Sequence, residues 1–161
     1  MLTKLLGAAT ITAFAFFTSF HLSHLLLARI RQLEGFLQLL RTTRDKIVGF
    51  RTPTPEIFAA FQNEALEASG FLPALRGGDM KSALDGARSG LYLDDEELAP
   101  LIEFAASLGS GFATEEAARC EVAITAVERA LEVRRGSRPS ATKLSRTLVV
   151  GASLAVILVL I

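Results

Sequence analysis

Apolar and polar residues divide the chain into a charged middle and two apolar ends. Leu5–Ala28 contains 24 residues without a formal charge, and Thr147–Ile161 is a second apolar run of 15 residues. As a helix the first run would be about 36 Å long, enough to cross a hydrocarbon core of about 30 Å. The second would reach only about 22 Å and would need local bilayer thinning or snorkelling of Arg146. The pattern predicts a transmembrane helix at each end.

Each predicted span has an alternative interpretation. Lys4 and the apolar run that follows it could form a secretory signal peptide, but no small-residue cleavage site comes after the run. The second run could be a buried helix of a soluble bundle, although it lacks the polar face that such helices normally have. We therefore expect two retained spans, residues 1–28 and 147–161, on either side of a domain at 29–146.

The beginning of the middle domain continues the first span as a helix. No proline or capping residue separates the two, so one helix of about 65 Å is predicted from Leu5 to Ile47. Its apolar positions beyond the span have 3-4-3 spacing, which is typical of one buried helical seam. They are Ile30, Leu33, Leu37 and Leu40.

Two shorter helices are predicted next. Thr54 is a candidate N-cap, and Gly70 is a candidate end for the helix that it opens. A turn is expected at 77–78, and Asp79 is expected to open a second helix that stops at Gly90.

The last two helices have stronger patterns. Asp94 followed by Glu97 resembles a capping box, and Gly109 is expected to close that helix. Thr114 is the expected cap of the final helix, whose apolar seam includes Cys120. The predicted seams are Leu98, Leu101, Ile102, Ala105 and Leu108, and then Ala113, Ala117, Cys120, Ile124, Val127 and Leu131. No useful stretch alternates with period two, so an all-α fold without strands is predicted.

Composition and charge narrow the partner classes. Half of the residues are apolar, mean hydropathy is +0.39 and the formal net charge is zero, which argues against nucleic acid as a partner. All 17 acidic residues and all basic residues except Lys4 lie between Arg29 and Arg146. By the positive-inside rule the middle domain is expected to be cytoplasmic. A single cysteine is compatible with that reducing compartment.

The residues give little support to catalysis. The stretch 76–82 has glycines near Lys-Ser but lacks the spacing of a phosphate loop. The carboxylates of 94–97 could do acid–base work, yet crowding at a helix N-terminus is better explained by capping. His21 and His24 could share a metal, and Cys120 could be a nucleophile, but neither has the partners required. We therefore expect a non-enzymatic protein without cofactor, metal or small-molecule substrate.

The layout resembles a known family. An N-terminal span that runs into a leucine-seamed helix, then TPTPEIFAAF, LIEFAASLGS and a final span, resembles the stage III sporulation protein AB family over essentially the whole chain. The most recognisable residues are Pro55, Leu101, Phe104, Leu108, Gly109 and Ser110. That family is similar in turn to the F-type domain of the platform protein in type II secretion and type IV pilus machines.

The resemblance implies an all-α bundle of about six helices and a role in the mother-cell membrane around the forespore. It also implies a non-catalytic platform role in a channel complex with a cytoplasmic ATPase and other membrane proteins. Family members usually carry an aspartate after Ser110, where this chain has Gly111. The turn after the LIEFAASLGS helix could be a partner-binding site or only a connector; the candidate residues are Phe104, Leu108, Gly109, Ser110 and Gly111. Alternatives are a membrane-anchored adaptor or regulator unrelated to sporulation, and a membrane-tethered enzyme.

Overall fold

A computed structural model describes the backbone of residues 2–50, 52–109 and 112–136, and side chains from residue 24 onward within those ranges except at 113. The predicted span Thr147–Ile161 lies outside the described residues, as do the side chains of residues 5–23 in the first predicted span. Among the side chains that are described, no helix is long and apolar enough to cross a membrane.

The first helix, α1, runs without interruption from Leu2 to Phe50. Its 49 residues correspond to a length of about 74 Å. The predicted continuous helix is therefore confirmed. The four seam positions of its second half, Ile30, Leu33, Leu37 and Leu40, are all buried.

The predicted single helix from Thr54 to Gly70 is wrong. Instead α2 spans Thr54–Ala60 and α3 spans Glu64–Ala68. Phe61 is buried with an extended backbone, and the Asn63 side chain accepts a hydrogen bond from the Leu66 backbone N–H. The helix therefore stops at Ala60 and a new one begins after three intervening residues.

The predicted cap of this region is also shifted by one residue. The backbone carbonyl of Pro53 accepts the first two helical hydrogen bonds, from Glu56 and Ile57, so Thr54 lies inside the first turn of α2 rather than at its cap. Proline fixes φ near the value that a helix start requires, which favours this earlier beginning.

The next two helices are short, and the first of them follows a left-handed glycine. Gly70 has φ +81° and joins α3 directly to α4, Phe71–Gly77, a helix that the sequence pattern did not predict. Asp79 caps α5, Met80–Gly86, as predicted, because its side chain accepts from the Ser82 backbone N–H at 2.9 Å. The helix ends at Gly86, four residues before the predicted stop at Gly90.

The two C-terminal helices agree best with their patterns. α6 spans Asp95–Ser107 behind the predicted capping box, and α7 spans Ala113–Gly136. Thr114 is not the cap of α7, since the Phe112 carbonyl already accepts hydrogen bonds from the backbone N–H groups of the first turn. The described residues thus form seven helices and no strand, which confirms the all-α class.

Residues Ala28–Val133 form one compact unit with a single apolar core. Phe36 of α1 and Phe71 of α4 meet edge to face with ring centroids 4.9 Å apart at its centre. The most deeply buried side chains come from five helices; among them are Leu33, Leu40, Leu66, Leu72, Leu101 and Val127. The core therefore depends on α1 and α7 as much as on the short helices between them.

The connection between α5 and α6 is fastened to α1 by one side chain. The buried amide of Gln32 donates to the Gly90 carbonyl at 2.9 Å and accepts from the Tyr92 backbone N–H at 2.8 Å. Gly90 also passes so close to Ser69 that an added Cβ would lie 2.2 Å from the Ser69 carbonyl oxygen. These contacts fix where α6 begins.

Candidate functional site

The predicted partner-binding residues lie where α6 ends. Phe104 is only 5% exposed and belongs to the core, whereas Leu108 is half-buried. Gly109 has φ +77°, the left-handed conformation that its position suggested. It follows Leu108, whose backbone is extended, so the helix itself ends at Ser107. Ser110 and Gly111 lie outside the described residues. The structure therefore describes three of the five candidates, of which Phe104 is mostly buried, Leu108 is half-buried and Gly109 is exposed.

Side chains of α7 hold the end of α6. Arg119 donates from Nη1 to the Ser107 carbonyl at 2.9 Å, and the Glu116 carboxylate accepts from the Gly109 backbone N–H at 2.7 Å. The cationic group at the C-terminus of α6 also complements the helix dipole. Two polar contacts thus hold Ser107 and Gly109, at the end of α6, against α7.

A groove of about 220 Å³ lies beside this turn, between α6 and α7. We name it the α6–α7 groove; its lining residues are Pro100, Glu103, Phe104, Ser107, Arg119, Val122 and Ala123. Val122 is 71% exposed, although its neighbours Ala123 and Ile124 are in the core. The groove is shallow and mostly apolar, which suits a contact with another protein better than small-molecule binding.

Phe112 is a further exposed apolar side chain next to the turn. It is 80% exposed and immediately precedes α7. The pattern of the sequence did not single out Phe112 or Val122. The spacing of α7 does indicate that Val122 is exposed. Two residues that are two positions apart in a helix lie on different faces, so Val122 cannot share the buried face of Ile124.

The acidic run at the start of α6 is explained by capping and ion pairing. The Asp94 and Glu97 side chains each bond the other's backbone N–H, and both bind the Arg29 guanidinium of α1, Glu97 at 2.7 Å. Burial opposes the charge on Arg29, but its hydrogen bonds to Glu97 and Asp94 outweigh that effect and raise its pKa. These carboxylates connect α6 to α1 and are already engaged.

Cys120 lies in the core, as its place on the apolar seam predicted. Burial, with a smaller contribution from Glu116, raises the pKa of the Cys120 thiol to about 11. The thiol is therefore protonated at neutral pH, unlike an activated nucleophile. His24 is exposed, the side chain of His21 is outside the described residues, and no described group of three metal-ligating residues could hold an ion.

Comparison with known proteins gives one result. The family model for stage III sporulation protein AB matches residues 4–161, which is nearly the whole chain. No curated protein and no solved structure shows significant similarity to this chain.

Proposed function

The chain belongs to the stage III sporulation protein AB family, and on that premise we propose that it is a non-enzymatic platform subunit of a channel complex. In this role it is held in the mother-cell membrane around the forespore by its two ends. Its cytoplasmic helical domain contacts a secretion-type ATPase and other membrane proteins of the channel. Membership of the family makes the protein a sporulation protein; the platform role is our inference.

The form of α1 supports the membrane placement. The helix is continuous from Leu2 to Phe50, as expected where a span leads directly into the first helix of the domain. Leu5–Ala28 is long enough to cross a bilayer, and the charges that follow it favour the cytoplasmic side for the domain. As part of the same proposal, we infer that this domain is similar to F-type platform domains.

The observation that supports the platform role most directly is the exposed apolar surface at the end of α6. Val122 lines the α6–α7 groove and is 71% exposed, and Phe112, the residue before α7, is 80% exposed. The side chains of Glu116 and Arg119 hold Gly109 and Ser107 at the end of α6. Exposed apolar side chains on an ordered surface are typical of protein contacts. We therefore propose that the ATPase contact lies at the α6–α7 groove.

Two alternatives fit less well. The family match favours a sporulation role over an adaptor unrelated to sporulation. An enzymatic role would need an activated group, yet Cys120 is a buried, protonated thiol and the carboxylates of Asp94 and Glu97 are engaged with Arg29. Neither the family match nor the state of these side chains favours an adaptor or an enzyme.

The experiment compares Val122→Arg with Val133→Arg in the sporulating host. Both valines are exposed on α7, at 71% and 60%, but only Val122 lines the α6–α7 groove. Val122→Arg should reduce capture of the ATPase at least tenfold and arrest forespore development, because a charge would have to be buried in the contact. Val133→Arg should leave both unchanged.

Thermal unfolding followed by circular dichroism is the folding control, and both variants should melt like the parent because both positions are exposed. Normal ATPase capture and normal spore yield with Val122→Arg would exclude the groove as the contact. Normal spore yield after deletion of the whole gene would exclude the channel role.

A further inference from the structure

The α6–α7 groove has an excess of carboxylates around it, and the first of them is Glu103. This residue lines the groove and is exposed. It lies in the C-terminal half of α6, where the dipole of the helix gives a carboxylate no advantage. Its side chain forms no ion pair within the part of the chain that the structure describes. Glu103 is therefore a charge that is available to a partner.

Two more carboxylates come from the first turn of α7. Glu115 is exposed and lies on the same helical face as Val122, because seven positions correspond to two turns. It also precedes Arg119, which lines the groove, by one turn. The Glu116 carboxylate accepts a hydrogen bond from the Gly109 backbone N–H at 2.7 Å and is thereby held at the end of α6. A hydrogen bond from a neutral amide leaves the charge of that carboxylate in place.

One cation opposes these three carboxylates. Arg119 lines the groove, and its Nη1 donates to the Ser107 carbonyl at 2.9 Å. Three carboxylates and one guanidinium give a net charge of −2, whereas the chain as a whole has no net charge and residues 108–112 carry none. Farther along the two helices, Glu96 on α6 and Arg129 on α7 add one charge of each sign and leave the excess unchanged. The negative excess is thus local to this groove.

We propose that the α6–α7 groove receives a basic segment of the ATPase, in which lysine or arginine side chains flank an apolar side chain. This inference rests on the proposed function and specifies the chemistry of the partner. The apolar side chain packs against Val122, which is 71% exposed, while the basic side chains approach Glu103 and Glu115. Opposite charges at an exposed rim attract the partner and speed association, and they disfavour an acidic segment or the anionic surface of a membrane.

The test measures capture of the purified ATPase by the immobilised full-length chain in mild detergent. Glu103→Gln removes one negative charge and Glu103→Lys reverses it, and neither changes the apolar lining of the groove. At about 0.05 M salt, capture should fall about threefold for Glu103→Gln and at least about tenfold for Glu103→Lys, because attraction weakens and then becomes repulsion. At about 0.5 M salt these differences should shrink to less than about twofold, since mobile ions screen exposed charges. A purely structural role for Glu103 would not give this dependence on salt.

Glu132→Lys is the matched control, because Glu132 is exposed on α7 but does not line the groove. Its capture of the ATPase should stay within about twofold of the parent, and all three variants should melt like the parent by circular dichroism. Equal losses for Glu132→Lys and Glu103→Lys would overturn the inference, and so would unchanged or stronger capture by Glu103→Lys. In either case, weakened capture by Val122→Arg would leave the proposed function standing. Absence of capture by the parent at every salt concentration would overturn the proposed function and this inference together.

Discussion

Among the described glycines, Gly90 comes closest to the backbone of another segment. A Cβ at this position would lie 2.2 Å from the carbonyl oxygen of Ser69, which is main chain and cannot rotate away. Gly90→Ala should therefore destabilise the chain by about 1–3 kcal/mol, the usual cost of overpacking. Thermal unfolding of the detergent-solubilised chain, followed by circular dichroism, measures this.

Gly86 provides the matched control. It ends α5, and a Cβ added there would meet nothing within 4 Å, so Gly86→Ala should stabilise the chain by about 0.4–1 kcal/mol. Equal melting temperatures for the two alanine variants would show that the close approach of the α5–α6 connection to α3 is absent in solution.

The Cys120 thiol should make stability depend on alkaline pH. Folding raises its pKa from 9.0 to about 11 because burial disfavours the thiolate. Its stabilising contribution is therefore complete below about pH 9 and is lost as the pH rises toward about 11. The free energy of unfolding of the parent should approach that of Cys120→Ser over this window, while their difference stays constant from about pH 7 to about pH 8. Parallel curves up to pH 11 would contradict the burial of this thiol.

At the scale of single elements, α7 has two nearby positions at which substitution by aspartate should affect stability very differently. Ile124 is 3% exposed and Val122 is 71% exposed. Ile124→Asp would place an unpaired charge in the core and should cost several kcal/mol of a typical total of about 5–15 kcal/mol. Val122→Asp should change stability by less than about 0.5 kcal/mol. If the two aspartate variants unfold at the same denaturant concentration, the register of α7 is wrong.

The long helices were predictable because each carries several turns of one apolar seam. α1, α6 and α7 follow their predicted patterns, and the capping box of α6 is present. The short helices were not predictable from the sequence, because a helix of five to seven residues contains less than two full turns. The ends of such a helix are fixed by tertiary contacts. Asn63 and the burial of Phe61 interrupt an otherwise helical pattern, which no local spacing revealed.

Only part of the candidate site could be predicted, because some of its contacts join different helices. The left-handed Gly109 follows from helix-ending chemistry and was predicted. The hydrogen bonds from Arg119 to Ser107 and from Gly109 to Glu116 join separate helices. The packing angles between helices decide which polar side chains meet. The spacing of residues within one helix does not predict those angles.

At the scale of the whole molecule, we expect the domain at Ala28–Val133 to be on the cytoplasmic side of a membrane. Gly78→Cys, at an exposed turn between α4 and α5, should resist a membrane-impermeant thiol reagent in intact cells and react after lysis. A cysteine inserted before Lys4 should react without lysis and serves as the control. Labelling at position 78 in intact cells would reverse the topology.

The platform role predicts a direct contact between this domain and the ATPase in sporulating cells. Photo-cross-linking from a benzoylphenylalanine at position 112 tests it most directly, because Phe112 is already an aromatic side chain that is 80% exposed beside the α6–α7 turn. The expected result is a cross-link to the ATPase, identified by mass spectrometry, at least tenfold stronger than from the same group at the exposed position of Lys81 on α5. Equal cross-linking from both positions, or cross-links from position 112 only to a second copy of this chain, would contradict the platform role.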